Sequence, residues 1–573
     1  MRSTFGWITA FIITSIIIIS CSKDGKDFLD PTDTGRINEG VTFSDSIRTM
    51  EFLNGIYVGI RPRWIQTDLT NYGSMSDCTD ESELTWSGTS NYPVAHNNGV
   101  LTPTYTWVGE IWRNWFSMIR NANIYLKNVN VAPLSAGIKS RTTGEVKFLR
   151  AFYYHQLIRF FGGVPLIGDT ILTPDMIINK PRSTYAQSTD YVLAELNEAA
   201  NLLPLTHETA NYGRATKGAA LALKARVLLY AASPLQNGGY TGNDGFNTSS
   251  AQQKELVSYP EADANRWNIA AQAYRDVIAL NQYSLYEDNT TALGYGFYKV
   301  FHLRVNTEAI FQLMQGPNNM LESILMPPSR GGSSGSWPSQ NIVDAFPMKD
   351  GVPIAQSASY DPAKPYENRD PRFYNSIIYN GAMFRQRTTV TPGPVYTYQS
   401  APTDGMGIST RTGYYNRKML NNESTGNTDR CIMEIRYAEI LLSLAEAVNE
   451  ASGPTAEVYD AIAKIRKRAG LVPFELPAGL NKDQMREYIR NERRVELAFE
   501  NHRYFDTRRW KIAHNSDIQT LRAIRWTQTA PNTYTRADIT AEIRVFQHPG
   551  YYYFPIPQAE IGRQPQFIQN PGY

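Results

Sequence analysis

The sequence predicts a mainly α-helical protein in which helices pack on helices, with long irregular loops and short strands carried on that scaffold. Two stretches, Trp107 to Ala232 and Glu434 to Trp510, repeat apolar residues at three- and four-residue steps over wide stripes, the pattern of helices buried against other helices. Between Gly238 and Arg430 the text turns instead to Gly, Pro, Asn, Ser and Tyr. That stretch is too aromatic for disorder and reads as working loops.

The chain opens MRSTFGWITAFIITSIIIISCSKDG: one cation at Arg2, an apolar-to-neutral run from Phe5 to Ser20, then charge again at Lys23 and Asp24. This is the layout of an export signal. The run falls short of the ~20 residues that cross a bilayer core as a helix, which weighs against the alternative of an uncleaved membrane anchor. Ile18-Ile19-Ser20-Cys21 resembles a bacterial lipobox, with Ile where Leu is usual. Cys21 is then the acylated residue, and each buried CH₂ of its acyl chains contributes ~0.8 kcal/mol to anchoring. Ser22-Lys23-Asp24 resembles the short signal that sends Bacteroidetes lipoproteins to the outer face of the outer membrane.

The first helix is expected from Trp107 to Val129, with Ile111, Trp115, Met118, Ala122 and Tyr125 on one face. On this helix Trp107, Trp112 and Trp115 read as core or interface. The second places Val146, Leu149, Phe152, Tyr153, Leu157 and Phe160 on a broad stripe and stops at Gly162-Gly163 and Pro165. Further helices follow over Asp190–Leu202 and Lys217–Ala232, the latter ended by Pro234. Within the loop-rich stretch one helix is expected near Trp267–Leu280, and Ala309–Leu313 reads as a strand. Helical text returns over Glu434–Ala451, Tyr459–Gly470 and Asp483–Trp510. Small residues at Ala438 and Ala445 on the seam of the first of these permit close helix approach, as in tetratricopeptide-like pairs.

Composition narrows the partners. Lys+Arg 56 against Asp+Glu 54 gives a net charge of +2, and loss of Arg2 with the signal leaves +1. A near-neutral chain lacks the concentrated basic footprint that nucleic acid requires. Tyr 35, Trp 10 and Phe 23 make the chain 12% aromatic, a surplus suited to a binding surface. Cys78 and Cys431 are the thiols beyond Cys21; an exported protein could pair them, and two free, buried cysteines fit equally well.

Catalytic motifs fail on context. Gly331-Gly332-Ser333-Ser334-Gly335 spells a nucleophile elbow but lies among prolines, where neither the required strand nor the helix fits. Glu439 and Glu446 share a helix face, yet their backbones are ~10.5 Å apart by helical rise, beyond a hydrolase pair; they read as partners for arginines such as Arg436 or Arg466. Glu492, Arg493, Arg494, Glu496, Glu500, Arg503 and Asp506 read as an ion-pair network between helices. The seven histidines are scattered, no Walker-type loop occurs, and the acidic Asp77–Glu83 stretch lacks EF-hand spacing. No catalytic residue, metal or cofactor is assigned.

Eight blocks, in order, carry a specific resemblance: GEVKFLRAFYYHQLIRFFGGVPLI, GRATKGAALALKARVLLYAASP, PSQNIVDAFPMKDG, RDPRFYNSIIYNG, IRYAEILLSLAEAVNEA, IRKRAGL, IRNERRVELAFENHRYFDTRRW and YYFPIPQAEIGRQPQFIQNPGY. Together they resemble the SusD/RagB family of Bacteroidetes outer-membrane lipoproteins. The resemblance implies a SusD-like fold of four TPR-like helix pairs with a ligand face of loops and short strands. It implies a signal at 1–20, a helical region at 21–237 lipidated at Cys21, a ligand-binding region at 238–430 and a helical region with closing segment at 431–573, with 21–573 one compact unit. The implied role is that of a surface lipoprotein that binds a glycan and delivers it to a SusC-like TonB-dependent transporter. A RagB-like peptide binder or an anchored glycoside hydrolase are the alternatives. By neighbourhood and order, the ligand-contacting aromatics are expected at Trp86, Tyr298 and Trp337, which sit in polar, turn-rich text.

Overall fold

A computed structural model describes residues 39–60, 74–85, 91–173, 176, 180–240 and 249–573. Cys21 and Trp86 lie outside the described residues. Ten helices carry the scaffold: α1 (Ser46–Val58), α2 (Thr106–Asn128), α3 (Ala136–Phe161), α4 (Tyr185–Leu202), α5 (Lys217–Ala232), α6 (Asn265–Ala279), α7 (Tyr437–Ser452), α8 (Ala456–Arg468), α9 (Lys482–Glu496) and α10 (His502–Arg509). Successive helices pack side by side, α2 on α3, α3 on α4, α4 on α5, α5 on α6, α6 on α7, and α7 on both α8 and α9. The helix expected inside the loop-rich stretch is therefore a scaffold element, and the chain from 280 to 436 is inserted between two neighbouring helices, α6 and α7.

Local chemistry explains the helix ends. Ser135 and Thr216 accept hydrogen bonds from the backbone N–H groups of Ile138 and Ala219, and Thr184–Gln187 and Asn481–Gln484 form reciprocal capping boxes. Gly162 ends α3 at φ +73°, and a Cβ on the next residue, Gly163, would fall 1.9 Å from the Ser183 carbonyl, so the close return toward α4 demands glycine. One large core runs from Phe43 to Phe567 and joins N- and C-terminal helices; Trp107, Trp112 and Trp115 are buried in it. Among the described residues, no helix is long and apolar enough to cross a membrane.

Several helix boundaries differ from the sequence expectation: α4 begins at Tyr185, five residues before the expected Asp190, because Thr184 caps it there, and two further differences change the fold. The segment expected to open a helix at Glu434 is strand until Arg436, because Ile432, Met433 and Ile435 pair across to an earlier strand before α7 begins. The single helix expected over Asp483–Trp510 is broken between α9 and α10, where Phe499 (φ 61°) and Asn501 (φ 63°) adopt left-handed backbone. Tertiary bonds account for the break: the Asn501 side-chain oxygen accepts from Ser74 Oγ at 2.8 Å and from Ser76 N at 3.2 Å.

The strands are short and paired in twos. Those that matter for function are β1 (Ser82–Leu84) with β3 (Ser336–Pro338), β2 (Ala309–Asn318) with β4 (Thr428–Arg436), and the hairpin β5 (Thr520–Ala530) with β6 (Thr533–Ile543), all antiparallel. Smaller hydrophobic clusters support this loop layer, one around Trp337 and Phe384, another around Phe373, Tyr414 and Trp526.

Candidate functional site

The loop layer is fastened to the scaffold through residues 74–85. Ser74 caps a tight turn over Met75–Cys78, and buried Asp77 accepts from Ser74 N (2.8 Å), Ser82 Oγ (2.8 Å) and Ser336 Oγ (2.6 Å). Asp80 accepts from Arg494 at 2.6 Å and from Arg503 at 2.8 Å. Burial would raise the Asp80 carboxyl, but the two guanidinium groups override it and hold it well below the usual range. Asp77 and Asp80 are thus consumed in structural bonds. β1 then leads toward Trp86, and its ladder sets Glu83 opposite Trp337.

Trp337 is packed rather than open: it is 5% exposed, clustered with Leu325, Met326 and Phe384, and the Arg411 guanidinium lies 5.5 Å from its ring. Arg411 also pairs with Glu83. Tyr298, likewise 5% exposed, stands on a short turn of helix at Tyr295–Lys299; its hydroxyl accepts from Asn422 N at 2.9 Å and its ring is 4.6 Å from His302. The fold therefore brings Trp337 beside the strand that precedes Trp86, and anchors Tyr298 to the turn around Asn422.

Behind the β1–β3 ladder, Ser82 and Ser336 share a cavity of about 60 Å³ with Phe301, Gln315, Asn416, Lys418, Arg430 and Cys431. At ~10–15 Å³ of such space per water this has room for a few waters. Gln315 Nε2, Asn416 Oδ1 and Arg430 Nε, all on its lining, have no hydrogen-bond partner among the described residues, which suits a small polar filling.

A larger concavity escaped the sequence reading. Between residues 363–398 and the β5–β6 hairpin lies an open cleft of about 490 Å³ lined by Tyr366, Tyr379, Tyr396, Trp526 and Tyr534. The period-2 placement of Trp526, Gln528, Tyr534 and Arg536 on one face of the hairpin is the sequence signal for it.

The carboxylates considered for catalysis are committed elsewhere. Glu439 is gripped by Arg226 (2.8 and 2.6 Å) and Glu446 by Arg509 Nη2 and the Trp510 indole N–H, both at 2.7 Å. These partners replace the expected Arg436 and Arg466. Arg436 instead binds Glu308, Glu496 and Glu500 at 2.6–2.8 Å. The expected ion-pair network is present: Arg493 and Arg509 both reach Asp506, at 2.7 and 2.9 Å. Cys78 and Cys431 are both free; Cys78 is buried and Cys431 partly so.

The family described as "SusD family" matches residues 297–573, and the family described as "Starch-binding associating with outer membrane" matches residues 27–229. The SusD-like protein P2 of Formosa agariphila is 22% identical over 98% of this chain and 99% of its own length. A SusD-like protein of Bacteroides fragilis has a solved structure that superposes with a TM-score of 0.76 at 27% identity, covering 95% of this chain and all of the other. A structure titled "Laminarin binding SusD-like protein" shares the fold with a TM-score of 0.62 at 20% identity, over 93% of this chain and 100% of its own. The two family models together take in residues 27–229 and 297–573, the relatives match over nearly the whole chain, and the chain belongs to the SusD/RagB family.

Proposed function

We propose that this protein is a non-catalytic, surface-exposed lipoprotein of the outer membrane that binds an oligosaccharide and passes it to a SusC-like TonB-dependent transporter. The observation that carries the reading is the match of residues 27–229 to a family described as starch-binding and associating with the outer membrane. In this reading the signal at 1–20 is removed, acyl chains on Cys21 hold the protein, and the scaffold presents the loop layer to the ligand. Trp86, next after β1 and Thr85, supplies the stacking ring, while Trp337 and Tyr298 contribute the small exposed edges of otherwise packed rings. Confinement of Glu439 and Glu446 by arginines favours binding over hydrolysis, since a glycosidase needs two carboxyl groups facing a cleft.

The test uses the chain without residues 1–21, incubated with laminarin, amylopectin and their hexasaccharides. Retention without new reducing ends is expected; product formation at enzyme-like turnover would sink the reading. Trp86→Ala should weaken binding at least about tenfold, or about 1.4 kcal/mol, at unchanged melting temperature. For the partner, co-purification with a TonB-dependent barrel from outer membranes is expected, and its loss on Cys21→Ser tests the anchor.

A further inference from the structure

The cleft between residues 363–398 and the hairpin contains more aromatic surface than packing requires. In the scaffold, rings are enclosed: Phe160 meets Phe554, Phe505 and Tyr504 at 4.7, 5.2 and 6.2 Å, and all four are buried. At the cleft the rings form two sets, Tyr366 with Tyr379 at 4.3 Å and with Trp526 at 6.0 Å, and Tyr398 with Tyr396 at 5.9 Å and with Tyr534 at 5.4 Å. Here, however, Tyr396 is 39% exposed and Tyr366, Tyr379 and Tyr534 are half-buried. These rings keep faces or edges toward an open volume of about 490 Å³, within the ~300–1,000 Å³ of small-molecule sites.

The arrangement is built before any ligand arrives. Trp526 Nε1 donates to Tyr366 Oη at 2.9 Å, and Gln399 N donates to the Trp526 carbonyl at 2.7 Å, so the hairpin and residues 396–399 are locked together. Arg536, on the same hairpin face, reaches Tyr360 Oη at 3.2 Å and Asp538 at 2.8 Å. Asn380, on the lining of the cleft, is fixed by accepting at Oδ1 from Thr397 N (2.9 Å) and Tyr398 N (3.2 Å). The charges at the rim, Lys364 and Glu367, pair with each other at 3.3 Å. Flat rings with a few neutral hydrogen-bonding groups and no net charge match the apolar faces and hydroxyls of a neutral sugar chain, and match poorly an acidic or basic ligand.

We propose that this cleft is a second carbohydrate-binding site, taking two or more residues of a neutral glycan chain by stacking on Tyr396 and Tyr534 above a floor of Tyr366, Tyr379 and Trp526. The proposal rests on the glycan-binding reading above and adds a separate point of attachment, so that a long chain is held at two places. Avidity then favours polysaccharide over short fragments.

Titration calorimetry of the chain lacking residues 1–21 with laminarihexaose and maltohexaose, followed by laminarin and amylopectin, decides it. The expected result is two sites for the hexasaccharide that binds. Tyr396→Ala/Tyr534→Ala should weaken one of them at least about tenfold, with the melting temperature unchanged because both rings are partly exposed. Tyr396→Phe/Tyr534→Phe should retain it, since stacking needs the ring and not the hydroxyl. Polysaccharide affinity should fall in the alanine pair by more than hexasaccharide affinity at the remaining site. A single site that Trp86→Ala removes and the alanine pair leaves intact overturns the cleft proposal alone. No binding of any of the four glycans overturns the parent reading and the cleft with it. Competition for the cleft by a tryptic peptide digest, with no glycan binding there, assigns it to peptide and likewise overturns the proposal.

Discussion

Two groups of buried acids in this protein respond to burial in opposite ways. In the helical scaffold, burial would raise Glu446 and Glu496, but arginines outweigh it and hold both at about 2: Arg509 and Arg493 for Glu446, and Arg468, Arg436 and Arg372, with Lys418, for Glu496. In the segment that leads to Trp86, arginines hold Asp80 low, but at the two glutamates beside it burial wins. Glu81, next to the charge of Asp80, is pushed up to about 7, and Glu83 reaches about 7 although Arg411 opposes the shift. The difference lies in the number and distance of guanidinium partners, because desolvation of the carboxylate is severe in both places. In the 74–85 segment the scaffold's Arg494 and Arg503 go to Asp80, and Glu81 and Glu83 are left as acids that prefer to be neutral.

The largest break in that contrast is expected at Arg436. Its guanidinium binds Glu308, Glu496 and Glu500 at once, and tethers β4, the strand entering α7, to α9. Arg436→Met leaves three buried carboxylates short of a cation and should cost about 3–5 kcal/mol, read as a lowered denaturation midpoint. An unchanged midpoint would mean that Arg468, Arg372 and Lys418 suffice to neutralise the site.

Glu446→Gln probes the same half of the comparison by pH. The wild-type carboxyl titrates at about 2 in the folded chain against 4.5 when unperturbed. Its contribution is therefore complete above about pH 4.5 and disappears as pH falls through 2. At about 1.4 kcal/mol per pKa unit, the variant should be less stable by roughly 3 kcal/mol at pH 7 and equal to wild type near pH 2. A gap that stays constant across that range would show a packing loss instead of a charge effect.

How much of this was legible beforehand follows the same division. Two scaffold helices could be read almost to the residue, α5 as Lys217–Ala232 and α2 to within one residue at each end, because their apolar stripes are local, whereas α4 starts five residues before the expected Asp190. What the chain does between Leu497 and Asn501 was not legible, since the break depends on Ser74 and Ser76, more than 400 residues away. The partners of Glu439 and Glu446 were missed for the same reason, as Arg226 is 213 residues from Glu439. At the site, polar surroundings made Trp337 look exposed, while its burial comes from pairing with β1 and from Ser336 bonding to Asp77 across 259 residues. The tyrosine cleft needed the hairpin and residues 363–398 brought together, and no spacing in either segment announces the other.

The smallest expected effect has the opposite sign and sits beside the proposed ligand loop. The folded-state pKa of Glu81 is raised from 4.5 to about 7, so its stabilising, protonated form is available below about pH 4.5 and is lost as pH rises through 7. Glu81→Gln keeps an acceptor for the Phe499 N–H, which now reaches Glu81 Oε2 at 3.3 Å, and removes the charge. Stability should rise by about 1–3 kcal/mol at pH 8, with each pKa unit worth about 1.4 kcal/mol, and should match wild type at pH 4. The gain has to appear between pH 4.5 and 7 in paired denaturation curves. A loss at pH 8 would mean that Arg503 and its neighbours hold Glu81 as a carboxylate, and the two groups of acids would then obey one rule.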